Sequence, residues 1–353
     1  MDFTAHPDFC GHEKVVFVDD PASELKAIIA VHSTTLGPAA GGCRIWSYRN
    51  QTDALSDVLR LSRGMTYKNA IAGLDLGGGK AVIMLRDGQQ KTKPMMLAFG
   101  RAVEKLEGDY YTAEDVGSTT EDMAAVRTQT SYVAGLSEGK YASGNPSPVT
   151  ARGVFEGIKL ACANVFDRSE LDGLRVAVQG VGHVGWYLCE MLRASGAQLI
   201  ISDVNHDRCR SAAERFGADI ADPNRLHAVE CDVYAPCALG GTLTSNSIEE
   251  IKAKIVAGAA NNQLGCESDA ELLHGADILY VPDFLINAGG ILNAAREIKK
   301  ITNSDWVEDQ ISTLVNTMQK VLDRSRIENR SPHYVAMKMA EDRVEAARLA
   351  AAE

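Results

Sequence analysis

The stretch RVAVQGVGHVGWYLCEMLRASGAQLIISD, residues 175–203, decides the fold. Its first five residues have the apolar, β-branched composition of a buried strand. Gly180, Gly182 and Gly185 follow in G-x-G-x-x-G spacing and lead into a helical pattern over Val184–Ala194. A second apolar strand, Gln198–Ser202, ends at Asp203, eighteen positions past Gly185. Such glycines allow a tight turn, close approach of a pyrophosphate to the backbone, and packing of the helix on the strand. The helix start turns unpaired N–H groups towards the phosphates, which adds His183 and Val184 to the contact set. A carboxylate at 203 accepts hydrogen bonds from a ribose and repels a 2′-phosphate. The motif therefore predicts NAD rather than NADP, with Arg208 nearby as the opposing signal. Glycines used only for packing are the alternative, and the downstream acid weighs against it.

Further along, strands end in VYAPCALGG, IVAGAANNQ and LYVPDFLINAGG. Ligands in open parallel sheets lie beyond such carboxyl ends. This predicts cofactor contacts from Ala235, Cys237, Ala260, Asn262 and Asn287, and from Thr150 just after a turn-rich patch. Any single Asn also reads as a turn residue. Strand and helix alternate through Asp207–Phe216, with Gly217 as a helix C-cap, and on through strands at Val233–Ala235, Lys254–Ala257 and Ile278–Val281. That order predicts a doubly wound parallel sheet.

Before it, Lys14–Val18 and Leu25–His32 read as strands. Thr52–Asn69 reads as an amphipathic helix, Lys80–Leu85 as a strand, and Met95–Leu106 and Glu121–Thr128 as helices. Gly139–Pro148 marks a domain break. Trp306–Arg324 and Tyr334–Ala351 read as helices returning to the first domain. The expected division is residues 1–140 with 327–353, and residues 141–326.

Two lysines mark the first domain: Lys68 in GMTYKNAIAG and Lys80 in LDLGGGKAVI. An ammonium is a poor base at neutral pH, but a second ammonium and burial can make one lysine a working base. Gly77, Gly78 and Gly79 suggest backbone that passes close to a bound molecule. Two surface lysines beside a tight turn are the plain alternative. DYYTAEDVGST places Asp115 at a strand end, where one carboxylate beside two ammonium groups would make an acid–base site. From local pattern alone, Asp115 reads more readily as a helix N-cap.

The net charge of −11 argues against nucleic acid and anionic membrane as partners. No apolar run approaches the ~20 residues of a membrane span, and the first residues do not resemble a signal peptide. A cytoplasmic chain is expected. Eight scattered cysteines without a C-x-x-C pair read as reduced thiols, and no zinc-like spacing is present, so no metal is expected.

The segments GPAAGGCRIW, RLSRGMTYKNAIAGLDLGGGKAVI, YYTAEDVGST, SGNPSPVTARGVF, VAVQGVGHVG, APCALGG, AGAANNQL and PDFLINAGG resemble the glutamate/leucine/phenylalanine/valine dehydrogenase superfamily, and most of all its leucine dehydrogenases. The resemblance runs from about Lys14 to about Arg296. It implies an α/β chain of two domains, one for substrate and oligomerisation and one Rossmann-type domain for NAD, with a cleft between them. It further implies reversible oxidative deamination of an L-amino acid to a 2-oxo acid and ammonia. Carried over, Lys68 holds the substrate carboxylate, Lys80 activates water, and Asp115 exchanges protons with the amine. Gly41 and Gly42 supply close backbone, and Asn262 places substrate beside the nicotinamide. Ala40, Met65, Ala113 and Ile291 line the side-chain pocket. All four are apolar, which disfavours glutamate and favours leucine, valine and isoleucine. Ala40 is smaller than the residue usual in leucine dehydrogenases, which keeps an aromatic substrate such as phenylalanine open. A non-catalytic nucleotide sensor is the remaining alternative. A homo-oligomer, an octamer by the resemblance, is expected.

Overall fold

A computed structural model describes residues 3–303 and 305–352. The chain divides into two compact units. The first comprises Met1–Pro146, Ile291–Trp306 and Ala340–Glu353, and the second Ser147–Gly290 and Val307–Met339. The break therefore falls at 146/147 rather than 140/141, and the chain returns at 340 rather than 327. Ile291–Trp306 was expected in the second domain and joins the first. The reason is Glu297, a buried carboxylate that accepts hydrogen bonds from the Gly135, Leu136 and Ser143 N–H groups and the Ser143 hydroxyl. A charge buried this deeply needs those donors, so the segment carrying it stays with them.

The first unit is built on a mixed sheet of β1 (Lys14–Asp20), β2 (Leu25–Ser33), β3 (Ala39–Ala40), β4 (Cys43–Ser47), β5 (Gly77–Leu85) and β6 (Tyr110–Tyr111). The strand order is β1-β2-β5-β3-β6, with β4 also on β5. Helices α1 (Gln51–Ile71), α2 (Lys93–Glu104) and α3 (Thr120–Arg127) belong to the same unit. Strand periodicity sorts side chains to two faces. Leu25, Ala27, Ile29, Ala81 and Ile83 join the Met95, Phe99 and Val103 cluster of α2, along with Cys43 and Ile45. Ile28, Ala30 and Val82 meet Leu55, Val58 and Leu59 of α1. Each of the Leu, Ile, Val, Met and Phe side chains among these contributes about 1.5–3 kcal/mol when fully buried. By the same alternation Lys80, two before Val82, and Arg44, between Cys43 and Ile45, project on the α1 face.

The triple glycine is not a loop before a strand, as Lys80–Leu85 implied; it opens β5 itself. A Cβ at Gly78 would lie 2.1 Å from the Thr66 backbone N, and one at Gly77 2.0 Å from the Ser33 carbonyl oxygen. The glycines let α1 and β2 press onto β5, so their first service is to packing rather than to a ligand.

The second unit begins with α4 (Ser147–Phe166), so the turn-rich patch ends two residues earlier than expected. It continues with β7 (Arg175–Gln179), α5 (His183–Ala194), β8 (Gln198–Ser202), α6 (His206–Phe216), β9 (Asp219–Ile220) and β10 (Val233–Pro236). Next come α7 (Ser245–Glu250), β11 (Ile255–Val256), α8 (Asp269–Gly275), β12 (Leu279–Tyr280) and α9 (Asp283–Ile286). The six strands are parallel in the order β12-β11-β10-β7-β8-β9. The order reverses between β7 and β10, the switch point where such sheets bind nucleotides. Gly217 caps α6 in the left-handed conformation, φ 63°.

Helices α10 (Gly289–Ile298), α11 (Trp306–Glu328) and α12 (Pro332–Ala352) complete the chain. Within the first unit, Arg343 of α12 donates to the Ala70 carbonyl at 2.7 Å and satisfies the end of α1. Among the described residues no helix is long and apolar enough to cross a membrane.

Candidate active site

In the first unit, β3 and β4 are one strand interrupted at Gly41 and Gly42. Ala40 pairs with Gly78 and Cys43 with Ala81, so the register carries through the gap and sets Lys80 level with it. A Cβ at Gly41 would meet the Gly79 carbonyl oxygen at 1.9 Å, and one at Gly42 the Glu114 oxygen at 2.4 Å. No larger residue fits either position. The Tyr110 hydroxyl donates to the Gly41 carbonyl at 2.7 Å and holds the gap in shape. Asn69 of α1 donates to the Gly77 carbonyl at 2.5 Å and ties the helix to the start of β5.

Lys80 is 5% exposed, and its Nζ lies 3.1 Å from Asp115 Oδ2. Arg44 Nε reaches the same oxygen at 3.0 Å. Burial pushes the Asp115 carboxyl up, but Lys80 and then Arg44 outweigh it and hold it below the usual carboxylate range. A carboxylate so placed stays ionised and can accept a proton. Asp115 is not the helix cap that its local pattern also allowed. Thr119 caps α3 in a reciprocal pair with Asp122, and the Asp115 N–H donates to Ser118 Oγ at 2.8 Å.

Lys68 stands in the last turn of α1, the helix packed on the face of β5 from which Lys80 projects. Met65 approaches Gly41: its Cγ would be 3.1 Å from a Cβ there. Ala40 pairs with Tyr111, and the Ala113 carbonyl accepts from the Cys43 N–H at 2.8 Å. Ala40, Met65 and Ala113 thus gather round the Gly41–Gly42 gap. Ile291 is buried at the start of α10. Sequence reasoning missed Arg44, Asp57 and Tyr48. Arg44 Nη1 contacts both Asp57 oxygens at 3.0 and 3.2 Å, and the Tyr48 hydroxyl donates to Asp57 at 2.6 Å. The available signal was a lone arginine two positions after the double glycine.

In the second unit, Gly180 has φ 92°, and a Cβ on Gly185 would lie 2.0 Å from the Gly180 carbonyl oxygen. Turn and helix packing account for these two. Gly182 differs: a Cβ there meets nothing within 4 Å, and it caps α5 without a side-chain bond. The first N–H groups of α5, from His183 and Val184 onwards, are thus open to an anion, which fits a pyrophosphate. Asp203 accepts from the Val181 N–H at 2.9 Å and the Asn205 N–H at 2.8 Å, so it also builds the loop. Arg208 lies 3.7 Å from it. Val181, Gly182, His183, Trp186, Tyr187 and Arg208 line one groove.

Ala235 is fully buried in β10, and the Cys237 thiol, pushed up to about 12 by burial, accepts from the Ala259 N–H. Asn287 donates to the Ala259 carbonyl at 3.1 Å, the Ala260 carbonyl at 3.4 Å and Asn261 Oδ1 at 2.8 Å, which ties the C-cap of α9 to the loop after β11. Asn262 is exposed with φ 52°, and its carbonyl accepts from the Gly241 N–H. Thr150 is buried in the first turn of α4, where a Cβ on Gly289 would meet its Cα.

Residues 12–132 match the family model described as "Glu/Leu/Phe/Val dehydrogenase, dimerisation domain", and residues 204–353 match "Glutamate/Leucine/Phenylalanine/Valine dehydrogenase". Leucine dehydrogenase of Bacillus cereus is 46% identical over 333 residues, 94% of this chain and 91% of that protein. Valine dehydrogenase of Streptomyces virginiae is 42% identical over 346 residues, 97% and 96% of the two chains. The crystal structure of L-tryptophan dehydrogenase from Nostoc punctiforme superposes with a TM-score of 0.82 at 40% identity, covering 96% of this chain and 97% of its own. Sequence along nearly the whole chain and fold over both units agree, and the chain belongs to the glutamate/leucine/phenylalanine/valine dehydrogenase family.

Proposed function

We propose that this protein catalyses reversible, NAD-dependent oxidative deamination of a branched-chain L-amino acid (leucine, valine or isoleucine) to the 2-oxo acid and ammonia. The observation that carries the reading is the buried Lys80–Asp115 pair at the Gly41–Gly42 gap, in a chain 46% identical to a leucine dehydrogenase.

Lys68 pairs with the substrate carboxylate. Asp115, kept ionised by Lys80 and Arg44, takes a proton from the substrate ammonium and leaves a neutral amine. When bound, the nicotinamide supplies the hydride acceptor. Once Asp115 is protonated, Lys80 passes its own proton to solvent, and as the neutral amine it directs a water to the imino carbon and takes a proton from that water as the carbinolamine forms. Asp115 returns its proton to the departing nitrogen, and the carboxylate so regenerated takes the carbinolamine hydroxyl proton as the carbonyl forms and ammonia leaves. Gly41 and Gly42 keep backbone close to the substrate, and Asn262 orients it. The side-chain pocket of Ala40, Met65, Ala113 and Ile291 offers no cation to a second carboxylate.

The cofactor set is the helix start from Gly180 to Gly185 with His183 and Val184, then Asp203, Thr150, Ala235, Cys237, Ala260, Asn262 and Asn287. The Asp203 charge favours NAD over NADP. A cytoplasmic homo-oligomer is part of the proposal, an octamer by family likeness, and the match to a dimerisation domain supports self-association.

A second reading, an aromatic amino acid, draws support from the small, buried Ala40 and the likeness to a tryptophan dehydrogenase. One missing methylene changes discrimination by only ~1–3 kcal/mol. The test of the main reading is Lys80→Ala. It should abolish turnover of leucine while NADH still binds by fluorescence. Near-normal turnover would remove Lys80 from the chemistry.

A further inference from the structure

We propose that Arg44 is the positioning residue of the acid–base pair: braced by Asp57 and Tyr48, it fixes the Asp115 carboxylate against Lys80 and keeps it in the proton-accepting form. The inference rests on the dehydrogenase reading above.

The geometry is a chain of alternating charge. Tyr48 donates to Asp57 at 2.6 Å, Arg44 Nη1 holds both Asp57 oxygens, and Arg44 Nε holds Asp115 Oδ2 at 3.0 Å, where Lys80 arrives at 3.1 Å. A guanidinium uses two edges of one rigid plane and cannot give up its proton in a protein. One edge anchors it to α1 through Asp57, and the other fixes the rotation of Asp115. Arg44 and Lys80 both take Oδ2, so neither occupies Oδ1, the oxygen that exchanges a proton with the substrate amine.

The titratable groups facing this carboxylate are Lys80 from β5, Arg44 and Cys43 from β4, and Tyr110 from β6. Tyr48 and Asp57 stand behind Arg44. Burial pushes up Cys43, Tyr48 and Tyr110, so they remain neutral. Lys80 and Arg44 are thus the charges that hold Asp115 down, with Asp57 at one remove, and Lys68 of α1 is the cation proposed for the substrate carboxylate. Arg44 is the member that neither meets substrate nor moves a proton.

The test compares Arg44→Gln, Arg44→Lys and Tyr48→Phe by steady-state kinetics against pH. Arg44→Gln should lower kcat about 100-fold with both KM values within a few-fold, since a misplaced acid–base group loses ~10²–10⁴-fold. The acidic limb of its kcat/KM profile should move up by about one pH unit, because one of two cations beside Asp115 is gone. Arg44→Lys should return the acidic limb towards wild type while kcat recovers only in part. Tyr48→Phe should lower kcat several-fold with an unchanged melting temperature. An acidic limb that stays in place in Arg44→Gln, or an Arg44→Lys variant no better than Arg44→Gln, overturns the proposal. Wild-type protein that oxidises no amino acid would instead refute the dehydrogenase reading. In that case ligand-free crystal structures decide: Asp115 turned away from Lys80 in Arg44→Gln supports the positioning role, and an undisturbed 3.1 Å contact refutes it.

Discussion

Asp115→Asn is the sharpest perturbation, because it leaves the shape of the site and removes one charge. Oδ2 of Asp115 receives Lys80 Nζ at 3.1 Å and Arg44 Nε at 3.0 Å, and the Lys80 and Asp115 side chains are 7% and 17% exposed. Removing one member of a buried ion pair costs ~3–5 kcal/mol, mostly from the charge left behind. Arg44 keeps Asp57 as a second partner, so the low end, about 3 kcal/mol of folding stability, is expected. Loss of a general acid–base group costs ~10²–10⁴-fold in rate, about 3–5 kcal/mol of barrier. Two assays separate the effects: urea unfolding of the apoprotein, and kcat with saturating leucine and NAD. The substrate KM should move little, since the carboxylate contact proposed for Lys68 is untouched. A variant within tenfold of wild-type kcat would refute the role given to Asp115. A variant with unchanged stability would refute the buried pair.

Other predictions follow from other parts of the chain. Burial, and then the charges of His12 and Arg63, depress the His32 imidazole from 6.5 to about 4. The folded state thus opposes its protonation, and its contribution of about 3 kcal/mol is present above about pH 6.5 and lost as pH falls through about 4. His32→Gln, which keeps a partner for Thr66, should flatten that part of the acid-stability curve; a curve parallel to wild type would contradict it. Gly78→Ala places a Cβ 2.1 Å from the Thr66 N and should cost at least about 1–3 kcal/mol, read as a lower melting temperature. Asp203→Ala should raise the KM for NAD tenfold or more, about 1.4 kcal/mol, and improve NADP use through Arg208. An unchanged NAD preference would show that Asp203 only builds the loop.

The second unit was legible because its signals are local. Glycines at fixed spacing, apolar runs of strand length and an acid at the next strand end lie within thirty residues, and each is a short-range constraint. The roles proposed for Lys68, Lys80 and Asp115 came through resemblance, because local pattern alone left surface lysines and a helix cap open. Arg44 was illegible for a different reason. It meets Asp115 across 71 positions, through a register that only the folded sheet defines. Strands β3 and β4 escaped because Gly41 and Gly42 break the alternation that announces a strand. The triple glycine was seen but its cause misread, since whether a missing Cβ faces a ligand or a neighbouring helix depends on tertiary packing. Ile291–Trp306 was assigned by sequence order, whereas Glu297 fixes it to backbone more than 150 positions away.

The central claim is best tested by reduction of NAD, followed by absorbance, with purified protein and a panel of leucine, valine, isoleucine, methionine, phenylalanine, tryptophan and glutamate. The account predicts the highest kcat/KM on a branched-chain member and none on glutamate. An aromatic optimum would keep the Lys80–Asp115 chemistry and reassign the pocket at Ala40. Silence across the panel, with NAD bound, would contradict the claim that this pair is a working acid–base site.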